Sequence, residues 1–228
     1  MADMNYRQKR PSINSFGLLI AGIVALCLTM PLVPHALADG LGYDGLPPQE
    51  LCGLCHGLNG ISATSKFPKL AGQKASYIEK QLRDFLNRQR GNDGGQMASI
   101  VTEIEPEQFA EAARHFQKQP APKPDLESLA ELSKADVAIA RNLITTGRSS
   151  DGIPACSSCH EASDAKPAYA PHLTAQHRRY LAKQLIDFKS GNRTNDKTNT
   201  MPAIAKKLSD REIEILAAYY AGQPRGGG

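Results

Sequence analysis

Tryptophan is absent from this 228-residue chain, and tyrosine and phenylalanine together supply only 13 residues. Aromatic side chains are therefore few for a globular chain of this length, and contribute sparingly to any core. An excess of one charge is missing too. The formal net charge is +4 with no long basic run, which argues against a nucleic-acid partner. No stretch sustains the alternation of a half-buried strand, so the fold is expected to be all-α. Cysteine is scarce: of five, Cys27 lies in an apolar run and the other four form two pairs. The length allows one large or two small domains.

The single long apolar run is "FGLLIAGIVALCLTMPLV", residues 16–33, preceded by Arg7, Lys9 and Arg10 and followed by "ALA" at 36–38 and Asp39. A basic segment, a short apolar core and small residues before a cut site make a secretory signal peptide, with cleavage expected after Ala38. An uncleaved anchor is the alternative, because the run nears spanning length if Thr29 and Pro31 are included. Either way the remainder is exported. Leu26 before Cys27 does not fit a lipoprotein signal.

What the chain does contain, it contains twice. Cys52, Cys55 and His56 match Cys156, Cys159 and His160 at a shift of 104 residues. "PKLAGQKASYIEKQLRDF" (68–85) then matches "PHLTAQHRRYLAKQLIDF" (171–188) at a shift of 103, and Met97 matches Met201 at 104 again. Such register over this length reads as a duplicated domain. The periodicity is helical: Tyr77, Ile78, Gln81, Leu82 and Phe85 share a face, as do Tyr180, Leu181, Gln184, Leu185 and Phe188. Ser209 with Glu212 forms a capping box, and Pro106 suits a first helical position. A further helix is expected near Lys134–Thr146, for which the first repeat has little room, leaving its edge more open. The proline-rich "QKQPAPKPDLESL" (117–129) suits an exposed linker.

Two cysteines three apart with a histidine directly behind suit a redox dithiol, half a zinc site or covalent haem. A dithiol needs an αβ context and no adjacent histidine. Structural zinc gathers four ligands, usually from motifs tens of residues apart, whereas these lie about a hundred apart. Haem needs the observed set: two thiols on one helical turn for the vinyl groups, and the next histidine for the iron. Cys52, Cys55 and His56, with Cys156, Cys159 and His160, are therefore expected to bind two haem c groups. A bonded macrocycle would also centre the core of repeats too small to be stable comfortably alone.

The far side of each iron needs a ligand. Met97 and Met201 each follow their histidine by 41 residues, and no other methionine lies beyond residue 38. A thioether is soft, favours ferrous iron and raises the potential. His115, His172 and His177 align with Tyr219, Lys69 and Lys74, and read better as surface or packing residues. Pro68 and Pro171 are candidates to accept the other ring N–H of each ligand histidine. Arg90 and Arg193 read either as partners of haem propionates or as solvated arginines. Tyr77 and Tyr180 read as propionate or core residues.

The two CxxCH motifs, "FPKLAGQ…Y…QL" and its partner, the late methionines and "LSDREIEILAAYYAGQ" together resemble the di-haem cytochrome c4 family over nearly all of residues 45–224. The resemblance implies two class I cytochrome c domains, neighbouring haems and a periplasmic electron-transfer role. Expected boundaries are a signal peptide at 1–38, a first domain at 39–118, a linker at 119–133, a second domain at 134–224 and a tail at 225–228. Expected partners are redox proteins: a quinol-oxidising complex, a dehydrogenase or a terminal oxidase, with membrane association through an uncleaved anchor. No catalytic residue is expected, since full coordination leaves iron no open position. The alternatives are a dedicated subunit of a dehydrogenase or oxidase complex and, less in keeping with the residues, a haem enzyme. The departures from the family pattern are the short entry to the first domain and "QMAS" around Met97.

Overall fold

A computed structural model describes residues 45–160 and 169–225. The expected signal peptide, its cleavage site and the alternative anchor lie outside the described residues, as does the tail beyond Arg225. The described chain is helical, its extended pairing limited to one isolated bridge between Arg148 and Ile153. No described helix is long and apolar enough to cross a membrane.

The first repeat runs α1 (Pro48–His56), α2 (Ala75–Leu86), α3 (Gln96–Ile100) and α4 (Phe109–Gln117). Helix α1 carries the first cysteine pair and opens on a proline, whose missing N–H is no loss in a first turn. Helix α2 buries Ile78, Leu82 and Phe85 at the expected spacing. Pro106 opens a 3₁₀ turn that leads into α4, whose buried Phe109, Ala112, Ala113 and Phe116 pack on α1 and α2. Phe109 and Phe116 are wholly buried and are the largest such side chains in this core.

Short α5 (Leu126–Ala130) precedes the second repeat, formed by α6 (Lys134–Thr145), α7 (Ser157–His160), α8 (Arg178–Ser190), α9 (Thr200–Ala205) and α10 (Asp210–Ala221). Its core gathers Leu143, Ile153, Leu181, Leu216 and Tyr220. Capping boxes close α6 at Ser133/Asp136 and α10 at Ser209/Glu212, so first-turn N–H groups are satisfied by side chains. Helix α6 has no counterpart before α1 among the described residues.

The proline-rich segment is mostly exposed, but less of a free linker than its composition suggests. Asp125 caps α5 through Ser128, and the Asp125 N–H donates to the Ala221 carbonyl at 2.9 Å. Helix α5 thus lies against α10, and Gly222 is glycine because a Cβ there would stand 2.4 Å from that of Leu129. Both repeats fall within one compact unit, Tyr43–Gly228.

Candidate functional site

Each motif histidine is held from behind. Nδ1 of His56 lies 2.8 Å from the Pro68 carbonyl, and Nδ1 of His160 lies 2.9 Å from that of Pro171. A carbonyl can only accept, so Nδ1 carries the proton and Nε2 keeps its lone pair. Burial pushes both imidazoles below their usual pKa, holding them in the neutral form that a metal ligand requires. The Pro68 loop is positioned by Gly60, whose carbonyl accepts from the N–H groups of Leu70 and Ala71. Gly60 sits at φ +74°, and a Cβ there would stand 2.7 Å from the Ala71 nitrogen, so glycine is required.

The methionines are held in matching fashion by carboxylates. The Met97 N–H donates to Asp93 Oδ2 at 2.6 Å, and the Met201 N–H to Asp196 Oδ2 at 2.7 Å. Burial pushes the Asp196 carboxyl up, but N–H donors from Met201, Thr198 and Thr200 and the Thr198 hydroxyl outweigh it and hold it low. Sequence reasoning missed both aspartates. The signal was present: they align at a shift of 103 while the methionines align at 104, so the register change falls inside this loop. Asn199, in left-handed backbone at φ +55°, lies in the longer version.

The four motif cysteines are free thiols rather than disulfides. Burial pushes the Cys52 thiol up to about 11 and raises that of Cys156. No cluster of three or more His, Cys, Asp or Glu suited to a metal exists among the described residues. The two cysteine pairs therefore do not gather into one four-ligand zinc site.

Between the repeats lies a buried polar network with approximate two-fold symmetry. Arg90 donates to Gln81, Asn92, Gln184 and the Tyr180 phenol. Arg193 donates to Gln184, Asn195, Gln81 and the Tyr77 phenol. Each guanidinium also lies over a phenylalanine of its own repeat, Phe85 at 4.7 Å and Phe188 at 4.5 Å. Lys80 pairs with Asp84 and reaches the Asn195 carbonyl, while Lys183 pairs with Asp187 and reaches that of Asn92. Every one of these residues has its partner at a shift of 103. Between residues 77 and 92, every identity of the two repeats except Leu82 is a residue of this interface. The lysines have carboxylates; the two arginines, each 6 % exposed, have only neutral hydrogen-bond partners. Two buried cations so placed call for anionic company.

One cavity of about 940 Å³ runs between the repeats. Its wall includes both cysteine pairs, His56, His160, Met97, Met201, Arg90, Arg193, Tyr77 and Tyr180, with Leu82, Phe85, Val101, Leu181 and Leu208 among the apolar remainder. An apolar chamber with thiols and a histidine on one helical turn, a methionine on another and a buried guanidinium fits the faces, edges and carboxylates of haem, once per repeat.

Comparison with known proteins gives the same answer. Cytochrome c4 of Pseudomonas aeruginosa is 37 % identical over 203 residues, covering 88 % of this chain and 97 % of that protein. The chain belongs to the cytochrome c4 family. The reduced recombinant cytochrome c4 from Pseudomonas stutzeri superposes with a TM-score of 0.64 at 33 % identity, over 77 % of this chain and 96 % of that one. A protein named thiosulfate dehydrogenase electron acceptor, from Stutzerimonas stutzeri, is 33 % identical over 89 % of this chain and 93 % of its own length. The family model described as cytochrome C oxidase, cbb3-type, subunit III matches residues 150–219. As a cytochrome c4, this chain is a di-haem c-type electron-transfer protein of two class I cytochrome folds.

The other histidines among the described residues of this cytochrome c4 have structural contacts of their own. His177 bonds Ser62 Oγ at 2.8 Å across the repeat boundary, and His115 packs edge-on against Phe116. The His172 backbone is gripped by Gln73.

Proposed function

We propose that this cytochrome c4 is a periplasmic one-electron carrier whose irons are held by His56 with Met97 and by His160 with Met201. The observation that carries this reading is the repetition of one device. In each repeat a neutral histidine, tethered through Nδ1, and a methionine, tethered through its N–H, stand on the wall of the same cavity. Cys52 and Cys55, and Cys156 and Cys159, attach the two groups through thioether bonds. Bound haem supplies a ferric/ferrous couple whose potential the soft methionine sulfur raises.

The chain's own residues do the rest. Pro68 and Pro171 fix the tautomer and ring angle of the ligand histidines. Arg90 and Arg193, oriented by neutral partners, take the propionates as counter-charges. Tyr77 and Tyr180 each accept from an arginine and keep an O–H to donate to a carboxylate. Tethers at both axial ligands resist exchange with outside molecules, so the residues support transfer of electrons rather than turnover of a substrate. The partners are redox proteins, with a dehydrogenase favoured by the relatives named for accepting electrons from thiosulfate dehydrogenase. Export rests on the basic and apolar N-terminal segment. The domain division at 39–118 and 134–224, joined through 119–133, assigns one haem to each part.

Single-ligand variants test the reading. Met97→Ala and Met201→Ala are each expected to convert one of two haems to a high-spin, carbon monoxide-binding form and to lower its potential. If neither substitution changes the spin state of its haem, the methionine assignment is wrong.

A further inference from the structure

The peptide joining Pro68 to Lys69 is held at both of its polar ends. Its carbonyl accepts the Nδ1 proton of His56 at 2.8 Å, and its N–H donates to Oε1 of Gln176 at 2.9 Å. Gln176 belongs to the other repeat. Its own orientation is fixed, because Nε2 donates to the Lys69 carbonyl at 2.9 Å and Oε1 also accepts the His177 N–H at 3.0 Å.

The second repeat is built the same way. The Pro171 carbonyl accepts from His160 Nδ1 at 2.9 Å, and the His172 N–H of that peptide donates to Gln73 Oε1 at 2.9 Å. Gln73 Nε2 returns a bond to the His172 carbonyl at 3.0 Å, and its Oε1 accepts the Lys74 N–H at 3.0 Å. Both glutamines are 4 % exposed, so water does not compete for these bonds.

A peptide is one planar, conjugated unit. An acceptor on its N–H draws charge toward its oxygen, and hydrogen bonds in series strengthen one another. A stronger acceptor behind Nδ1 makes the imidazole a more basic ligand. Glutamines serving only to join the repeats would have many backbone groups to choose from. Both instead place Oε1 on the N–H of the one peptide whose carbonyl holds a ligand histidine, and steady it there through the next carbonyl.

We propose that Gln176 is a positioning residue for His56 and Gln73 for His160, each acting across the repeat boundary, so that each ligand histidine is tuned from the opposite domain. The relay rests on the reading of His56 and His160 as haem ligands. A low-spin spectrum of the wild-type holoprotein tests that reading by itself.

Gln176→Met and Gln73→Met test the relay, with the two haems of the holoprotein followed separately by their NMR signals during redox titration. A less basic histidine stabilises ferric iron less. Gln176→Met is therefore expected to raise the potential of the His56 haem and leave the other unmoved, and Gln73→Met to do the reverse. The expected size is about threefold in the reduction equilibrium, the low end of one net hydrogen bond, or about 30 mV at roughly 59 mV per tenfold. In the reduced protein the Nδ1 proton resonance of the same histidine should move with it. Gln176→Glu, which keeps an oxygen for the Lys69 N–H, is expected not to raise the His56 haem. A shift confined to the variant's own domain, equal shifts at both haems, no shift at either, or a rise in Gln176→Glu matching that in Gln176→Met overturns the proposal.

Discussion

Arg90 of the first repeat donates to the phenol of Tyr180 in the second at 3.1 Å, and Arg193 answers to Tyr77 at 3.2 Å. The two repeats are thus joined by reciprocal bonds of equivalent residues, and a single loss removes only one of two matched sets. Arg90→Ala takes the arginine donor from Asn92 and from the Tyr180 phenol, while Gln81 and Gln184 keep Arg193, and it is expected to lower stability by roughly 2–4 kcal/mol. Tyr180→Phe removes one bond, for about 1 kcal/mol. Urea unfolding with separate probes for the two haems should show the repeats unfolding apart in Arg90→Ala but together in the parent protein.

How much of this was legible beforehand differs by feature. The helical faces of α2 and α8 follow from periodicity, because one side of each packs on its own core. The CxxCH pairs follow from chemistry that needs adjacent residues. The paired contacts of Arg90 and Arg193, and the grips of Gln73 and Gln176, join residues about a hundred apart. Their repetition marked them as important without saying to what they bonded. Asp93 and Asp196 escaped notice because a carboxylate capping a loop has no period. The left-handed Arg88, at φ +58°, closes α2: its N–H donates to the Phe85 carbonyl at 3.1 Å and the Gln89 N–H to that of Asp84 at 2.8 Å, a pairing of helix end and loop that no side-chain pattern announces.

Asp196 is expected to govern how firmly Met201 is held. Asp196→Ala frees the Met201 N–H and loosens the Thr198 turn, whereas Asp196→Asn keeps an oxygen acceptor. Imidazole titration of the oxidised protein should displace the methionine at the second haem at roughly tenfold lower concentration in Asp196→Ala. The first haem should be unaffected, and Asp196→Asn should fall between. Equal sensitivity of all three proteins would remove Asp196 from this role.

Acid stability should depend on Glu212. Burial raises its carboxyl, but hydrogen bonds from Arg148 and Ser209 outweigh it and hold the group below the ordinary glutamate range. A depressed carboxylate stabilises the fold above its unfolded pKa, about 4.3, and that contribution is lost as pH falls through the folded value. Glu212→Gln is therefore expected to be less stable than the parent at pH 7 and to lose less between pH 7 and pH 3. Denaturant midpoints at the two pH values check this.

The haem of the second repeat is expected to have the higher potential. Residues 39–120 carry 9 Lys and Arg against 10 Asp and Glu, and residues 121–228 carry 15 against 12, so their nets are −1 and +3. A more positive surrounding favours the reduced state. The charges of the Arg90/Arg193 network match in pairs, whereas Lys69 and Arg225 each reach across the boundary without a charged counterpart, and screening over about 10 Å keeps the influence of the outer charges modest. A redox titration with the haems assigned through the methionine variants decides the order. Earlier reduction of the His56 haem would show that whole-repeat charge does not set it.

The central claim is that both irons are closed by histidine and methionine, leaving an electron carrier. Optical and EPR spectra of the unaltered holoprotein at neutral pH, with carbon monoxide added to the reduced form, test it most directly. The account predicts two haems per chain, both low-spin in either oxidation state, and no rapid carbon monoxide binding. A high-spin ferric haem, or one that binds carbon monoxide at once, would contradict it.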